Sequence, residues 1–282
     1  MHTFRSGPKR HYYGKGDVIA YRLDRTGGAE GRCAVFAASV LFLVYGDAFW
    51  KTYTDGDNTG LVATDSMKNF IQRETMNFAG NGLEEYCRFL ADKFLAKYAQ
   101  ADGLQISASE IPYSGVGGHP VFAPSGPDHA TARFEVSRGG IVEAASGVSG
   151  FKLLRLGGSA FHGFVRDEYT TLPDLRNRPL HMWLDVEWTY RRPEAAFSGG
   201  TVTARVRRTV HEVFASFESE SIQQLIYRMG MMLLEEIGGI DEVRLEANNR
   251  TWDTIAERGE ALGVYTDSRP PYGCVGLTLS RR

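Results

Sequence analysis

Cysteine is scarce in these 282 residues: three, Cys33, Cys87 and Cys274, lie far apart and never as CxxC. An odd, scattered set argues against a disulfide framework and a cysteine-based zinc site, and fits a reducing compartment. Excess charge is missing too. Thirty-two Lys plus Arg against 34 Asp plus Glu leave a formal charge of -2, so nothing global calls for nucleic acid or an anionic membrane, and any anionic ligand must be met by local charges. Long apolar runs are absent: Cys33 to Tyr45 spans 13 residues against the roughly 20 that cross a bilayer, which reads as a buried strand. The start, MHTFRSGPKRHYY, has no apolar signal region, and Leu279-Ser280-Arg281-Arg282 lacks the peroxisomal tripeptide; a cytoplasmic location is expected. There is no GxxxxGK[ST], HExxH or GxSxG, and Gly115, Gly117 and Gly118 do not fit GxGxxG, which argues against phosphate loops and dinucleotide clefts. The seven histidines never pair at metal-ligand spacing on a helix.

What is present is an ordinary globular composition, 43% hydrophobic and 23% charged, enough for one large domain or two medium ones. Val18–Asp24 and Cys33–Tyr45 are β-branched and aromatic, with a Gly-containing turn at Arg25–Gly31 between them, and read as a hairpin. A helix over about Ser66–Met76 precedes one in which Leu83, Tyr86, Cys87, Leu90, Phe94 and Tyr98 make a single stripe. Strands follow at Gln105–Ile111 and Thr131–Ser137. The second half repeats the order: strands at Ile141–Leu156 and Met182–Tyr190, helical stripes Val202 to Phe217 and Ile222 to Ile237, then strands at Val243–Ala247 and Gly273–Leu279. The helical pairs begin 136 residues apart, at Ser66 and Val202. The expectation is an α+β protein of two units, 1–139 and 140–282, each an antiparallel four-stranded sheet with two helices on one face. The uncovered faces predict self-association.

Four segments place reactive or recognition groups near element boundaries: Tyr13-Gly14-Lys15, Val62-Ala63-Thr64-Asp65-Ser66, Phe161 through Arg178, and Ser221-Ile222-Gln223. Each has a plain structural reading. A Lys beside Gly is usually a solvated turn residue; Thr64, Asp65, Ser66 and Ser221 are what a helix N-cap needs. Gln223 and Arg178 fit a surface, and Phe161 fits a core.

Taken together and in order, these segments resemble the urate oxidase (uricase) family of the tunnelling-fold group over nearly the whole chain. The matching strings are Tyr13-Gly14-Lys15; Val62-Ala63-Thr64-Asp65-Ser66 with Lys68-Asn69; Gly163-Phe164 with Arg166-Asp167-Glu168-Tyr169-Thr170-Thr171-Leu172; and Ser221-Ile222-Gln223 with Tyr227. The resemblance implies oxidation of urate by O2 and water to 5-hydroxyisourate and H2O2 without a cofactor. It implies Lys15 and Thr64 as the catalytic pair, the ammonium easing deprotonation of the hydroxyl. Arg178 and Gln223 would hold one edge of the purine, Phe161 would stack on it, and the backbones of Asp65 and Ile222 would meet the remaining polar edges. It also implies a homotetramer whose sheets close into a barrel-like tunnel, with Lys and Thr from one subunit and Arg, Gln and Phe from its neighbour.

One departure stands out. Where the family has Asn, one residue, then His, this chain reads Asn248-Asn249-Arg250-Thr251-Trp252, so either Asn248 or Asn249 lines the oxygen pocket and Arg250 occupies the place of the His. An Arg stays protonated and does not relay protons. Either Lys15 and Thr64 suffice with water, the favoured alternative, or Arg250 is a fixed charge or structural residue. The rival readings are another tunnelling-fold purine or pterin enzyme, which would need a Glu where Gln223 stands, and a non-catalytic purine-binding oligomer.

Overall fold

Period-two and period-3.6 patterns become strands and helices in the expected order. The structure is a computed structural model describing residues 11–26, 33–117, 120–259 and 262–281; Gly118, His119, His2 and most of the turn expected at Arg25–Gly31 lie outside the described residues. The first half contains β1 (Tyr13–Asp24), β2 (Ala34–Tyr45), a 3-10 turn leading to the short α1 (Trp50–Thr54), α2 (Thr64–Thr75), α3 (Leu83–Lys97), β3 (Gly103–Glu110), β4 (Tyr113–Gly115), β5 (Phe122–Pro124) and β6 (His129–Ser137). The second contains β7 (Gly140–Arg155), β8 (Leu180–Tyr190), α4 (Thr201–Ser216), α5 (Ile222–Glu236), β9 (Ile240–Asn249), β10 (Thr254–Arg258), β11 (Leu262–Tyr265) and β12 (Gly273–Ser280).

These elements form two compact units, Met1–Ser146 with Tyr190–Val202, and Gly147–Thr189 with Thr203–Arg282. In the first, strands lie in the order β1-β2-β3-β6 with antiparallel pairing throughout. Helix α2 packs on β1, and α3 on β3 and β6. The face they cover is fully buried at Val40, Phe42, Val44, Ile106 and Phe134, met by Met67, Ile71, Leu90 and Phe94 from the helices; each such side chain contributes about 1.5–3 kcal/mol by leaving water. Ile19, Tyr21 and Leu23, which alternate with buried Val18 and Ala20 on β1, are 47%, 52% and 57% exposed. The other face of this sheet is therefore apolar and bare at its β1 edge.

The second unit orders its strands β7-β8-β9-β12. Helix α5 packs on β9 and β12 so closely that a Cβ on Gly230 would come within 2.8 Å of Leu279 Cδ1. Helix α4 packs on β7, where the His211 and Phe151 ring centroids are 5.7 Å apart and the Arg155 guanidinium lies over Phe214. Strand β8 alternates as expected: Leu180, Met182, Leu184, Val186, Trp188 and Tyr190 are buried, while the residues between them are more accessible. Among the described residues no helix is long and apolar enough to cross a membrane.

Candidate active site

Lys15 is not a solvated turn residue, as its Gly neighbours suggest, but part of β1, paired with Phe42 and half-buried. Two backbone features put it there. Gly14 lies so close to β2 that a Cβ would stand 1.8 Å from the Phe42 carbonyl oxygen, so no other residue fits. The register then slips between Lys15 and Val18, with Asp17 at φ +52°. This bulge inserts one residue and reverses the parity of the strand. Tyr13, Lys15, Val18 and Ala20 are thereby set opposite Val44, Phe42, Val40 and Ala38, all on the helix-covered face, because partners across a ladder share a face.

The same face carries the start of α2. Thr64 is its first residue and half-buried, while Asp65 and Ser66 are exposed. The capping role expected for these three is not what is seen: the N-cap is Ala63, with no side-chain cap. Asp65 instead accepts hydrogen bonds from Lys68 and from Asn69 Nδ2. Its carboxyl is held below the usual range by Lys68 first, then by Asn69 and, last, by the charge of Lys15. Tyr13 ties the two segments together. Its hydroxyl accepts the Val62 N–H at 3.0 Å, its ring packs edge-on to buried Phe49 at 5.1 Å, and burial pushes its pKa up to about 12.

In the second unit, three stretches are laced together. Ser159 bridges Ser219, with Ala160 N–H donating to the Ser219 carbonyl at 2.7 Å; Phe161 pairs with Leu175 in both directions; and Arg178 N–H donates to the Ser159 carbonyl at 2.9 Å. This brings Phe161, Arg178 and the approach to α5 into one neighbourhood. Ser221 caps α5 as expected, its hydroxyl accepting the Gln224 N–H at 3.1 Å. Beyond it Ile222 is buried and Gln223 exposed. Phe161 is not core: it is half-exposed and stacks on Phe164 with centroids 5.0 Å apart and planes 16° from parallel. The Arg178 guanidinium carbon lies 5.6 Å from the Phe161 ring centre. Its Nε is buried with no hydrogen-bond partner among the described residues, and burial pulls its pKa down.

Arg178 borders a cleft of about 700 Å3 also lined by His181, Asn249, Arg250, Trp252 and Tyr265. Asn249 lines it; Asn248 does not, and its Oδ1 faces the Cys274 thiol at 3.8 Å. Arg250 is wedged between two rings, 3.8 Å from the Trp183 centre and 4.1 Å from that of Tyr272, with Lys152 4.8 Å from Trp183. It is a packed cation, and its backbone N–H donates to the His181 carbonyl at 2.9 Å. His181 lies 5.4 Å from the Trp252 ring, which stacks on Tyr265. Its pKa is lowered by burial and by Lys152 and Arg250, against a raising effect from Asp267. The sequence pattern missed His181 and the Trp252–Tyr265 stack; the position of His181, three residues beyond Arg178 at the start of β8, was the available signal.

Fold and site together define a class: an α+β protein of two sheet-and-helix units, one with a half-buried Lys15 on its first strand and Thr64 opening a helix, the other with a cleft lined by Arg178, Arg250 and aromatic rings. The model of the Uricase family matches residues 144–275. The uricase of Haloferax volcanii is 36% identical, over 95% of this chain and 97% of its own length. The uric acid degradation bifunctional protein of Bacillus sp. TB-90 is also 36% identical, over 96% of this chain. The chain spans 60% of the length of that relative. The crystal structure of the urate oxidase from Bacillus sp. TB-90 superposes with a TM-score of 0.86 at 36% identity, covering 96% of this chain and all of the other. The chain belongs to the uricase family.

Proposed function

We propose that this chain is a urate oxidase, converting urate, O2 and water to 5-hydroxyisourate and H2O2 without a cofactor. The observation that carries this reading is Arg178: a half-buried guanidinium whose buried Nε is orphaned, set beside the Phe161 ring, is a seat for a planar anion that supplies the missing acceptor. Gln223, exposed at the start of α5, offers the amide that matches a carbonyl with a neighbouring N–H. Urate lying on Phe161 would place its polar edges against these two side chains and against the free N–H groups at Ile222. Asn249, rather than Asn248, is then the residue beside the ring and the oxygen.

Lys15 and Thr64 are the reactive pair in this reading. The ammonium stabilises the alkoxide of Thr64 in a partly desolvated setting, and the pair moves protons between urate, water and the nascent peroxide. The backbone of Asp65 completes the contacts. Urate gives up two electrons and O2 takes them; water supplies the hydroxyl added to the purine, and the protons leave with the peroxide. Arg250, held between rings, acts as a fixed positive charge bordering the cleft, while proton relay falls to Lys15, Thr64 and water.

The assembly proposed is a homotetramer in which the bare sheet faces, typified by Ile19, Tyr21 and Leu23, are covered as sheets of neighbouring subunits close into a tunnel. Residues 1–139 and 140–282 are its two repeats. Lys15 and Thr64 of one subunit then complete the seat made by Phe161, Arg178 and Gln223 of the next. Purified protein should deplete the near-ultraviolet absorbance of urate while consuming O2 and releasing H2O2; inert mixtures would overturn the assignment. Sharing has its own test. Co-expressed Lys15→Met and Arg178→Ala chains, the first deficient in turnover and the second in urate binding, should regain about a quarter of the parental activity at urate concentrations too low to fill sites lacking Arg178, since one site in about four receives both intact contributions. No recovery would rule out a shared site.

A further inference from the structure

Lys15 and Thr64 are 49 residues apart in sequence, on a strand and at a helix start, and proton transfer between them tolerates little slack. A misplacement of about 1 Å can cost roughly 100-fold in rate. Among the described residues neither has a side-chain hydrogen bond that fixes it to the other's segment. Gln72 on α2 donates to the Ile19 carbonyl further along β1; at the Lys15 end of the strand, the link is Tyr13.

We infer that Tyr13 is a positioning residue for the Lys15–Thr64 pair, acting through the hydrogen bond from the Val62 N–H to its hydroxyl. This rests on the assignment of Lys15 and Thr64 made above. The geometry is direct. Tyr13 and Lys15 flank Gly14, whose contact with the Phe42 carbonyl locks that stretch of β1 against β2, and the bulge after Lys15 keeps both side chains on the helix-covered face. From there the Tyr13 hydroxyl meets the Val62 N–H at 3.0 Å. Val62 is buried and lies two residues before Thr64. The Ala63 carbonyl already accepts the Met67 N–H at 3.1 Å, so the segment from Val62 into α2 has little freedom once its entry is tied. Phe49, buried and edge-on to the Tyr13 ring, prevents the phenol from swinging away. With a pKa near 12 the phenol stays neutral through the working range, so it is a constant tether and not a titrating group.

The alternative is that Tyr13 only fills space beside Phe49. The two are separated by Tyr13→Phe, which keeps the ring and removes the acceptor, beside Phe49→Leu, which loosens the ring and keeps the acceptor. Tyr13→Phe should lower kcat roughly 10- to 100-fold, with KM for urate and the melting temperature close to the parent, and should raise the solvent deuterium isotope effect on kcat as proton transfer becomes limiting. Phe49→Leu should lower the melting temperature more than it lowers kcat. The inference is overturned if Tyr13→Phe matches the parent in kcat and isotope effect, or if the two variants lose stability and turnover in the same proportion. Lys15→Met, assayed alongside, separates the layers: turnover retained there would overturn the catalytic assignment itself, whereas its loss with an unaffected Tyr13→Phe would sink the tether alone.

Discussion

In the first unit the functional groups are placed by main chain, and in the second by ring faces. Lys15 owes its orientation to a bulge, to a glycine pressed on a carbonyl and to one phenol–amide bond. Arg178 and Arg250 owe theirs to Phe161, Trp183 and Tyr272. The difference follows from the chemistry assigned to each. Proton transfer depends steeply on distance and needs groups fixed on rigid elements, whereas holding a delocalised flat anion needs a shaped cationic surface, which stacked side chains supply with some compliance.

That contrast can be broken most decisively by kinetics. Lys15→Met should cost about 100- to 10,000-fold in kcat while leaving affinity for a non-oxidisable xanthine analogue close to the parent. Arg178→Ala should chiefly weaken binding of that analogue, by about 1.5–3 kcal/mol for each charged hydrogen bond lost. Titration calorimetry beside steady-state assays would show whether turnover and binding separate this way; if both variants lost both, the division of labour would be wrong. Stability should show the same asymmetry. Gly14→Ala drives a Cβ into backbone and should lower unfolding free energy by about 3 kcal/mol, at the upper end for overpacking. Trp183→Leu removes one face of the Arg250 sandwich and should cost about 1 kcal/mol. Urea titrations would reveal the order.

A smaller effect concerns pH. Glu84 is buried in the first unit, accepting a hydrogen bond from the Ser146 hydroxyl at 2.7 Å, which in turn accepts from the Tyr190 hydroxyl at 2.9 Å. Burial raises its pKa above the ordinary carboxylate value, partly offset by Ser146. The native state thus holds a proton that the unfolded chain releases. The stability this contributes is complete below the ordinary Glu value and is lost as pH rises through the raised one. Among the described residues the second unit buries no charged group. Glu84→Gln should therefore flatten the pH dependence of stability, and amide exchange should register the change in the first unit alone.

Much of this was readable beforehand because periodicity reports burial. The eight long strands and four long helices fell where alternation and helical stripes put them. Three kinds of feature were not legible. The start of β1 reads as a turn because Gly14, Gly16 and Asp17 carry turn composition, and only the pressure of Phe42 and the bulge reveal a strand. Thr64 reads as a cap because threonine caps helices, yet Ala63 holds that position and leaves Thr64 inside the first turn. Arg250 looks like a lost relay because its partners, Trp183 and Tyr272, are distant in sequence and converge only in the folded chain. The hairpin of β10 and β11 was unpredicted for a simpler reason: every residue of β10 is exposed, so no buried face leaves a pattern.

The polypeptide passes between its two compact units at Ser146, at Thr189 and again at Val202. The first unit is thus finished only by a stretch made after most of β7 and β8. On the ribosome, the opening half must wait for the 43 residues Gly147–Thr189 before its closing stretch, Tyr190–Val202, arrives. A chain arranged in this way has reason to meet holding chaperones early, and a gene split at the centre would yield one fragment lacking its own closing segment.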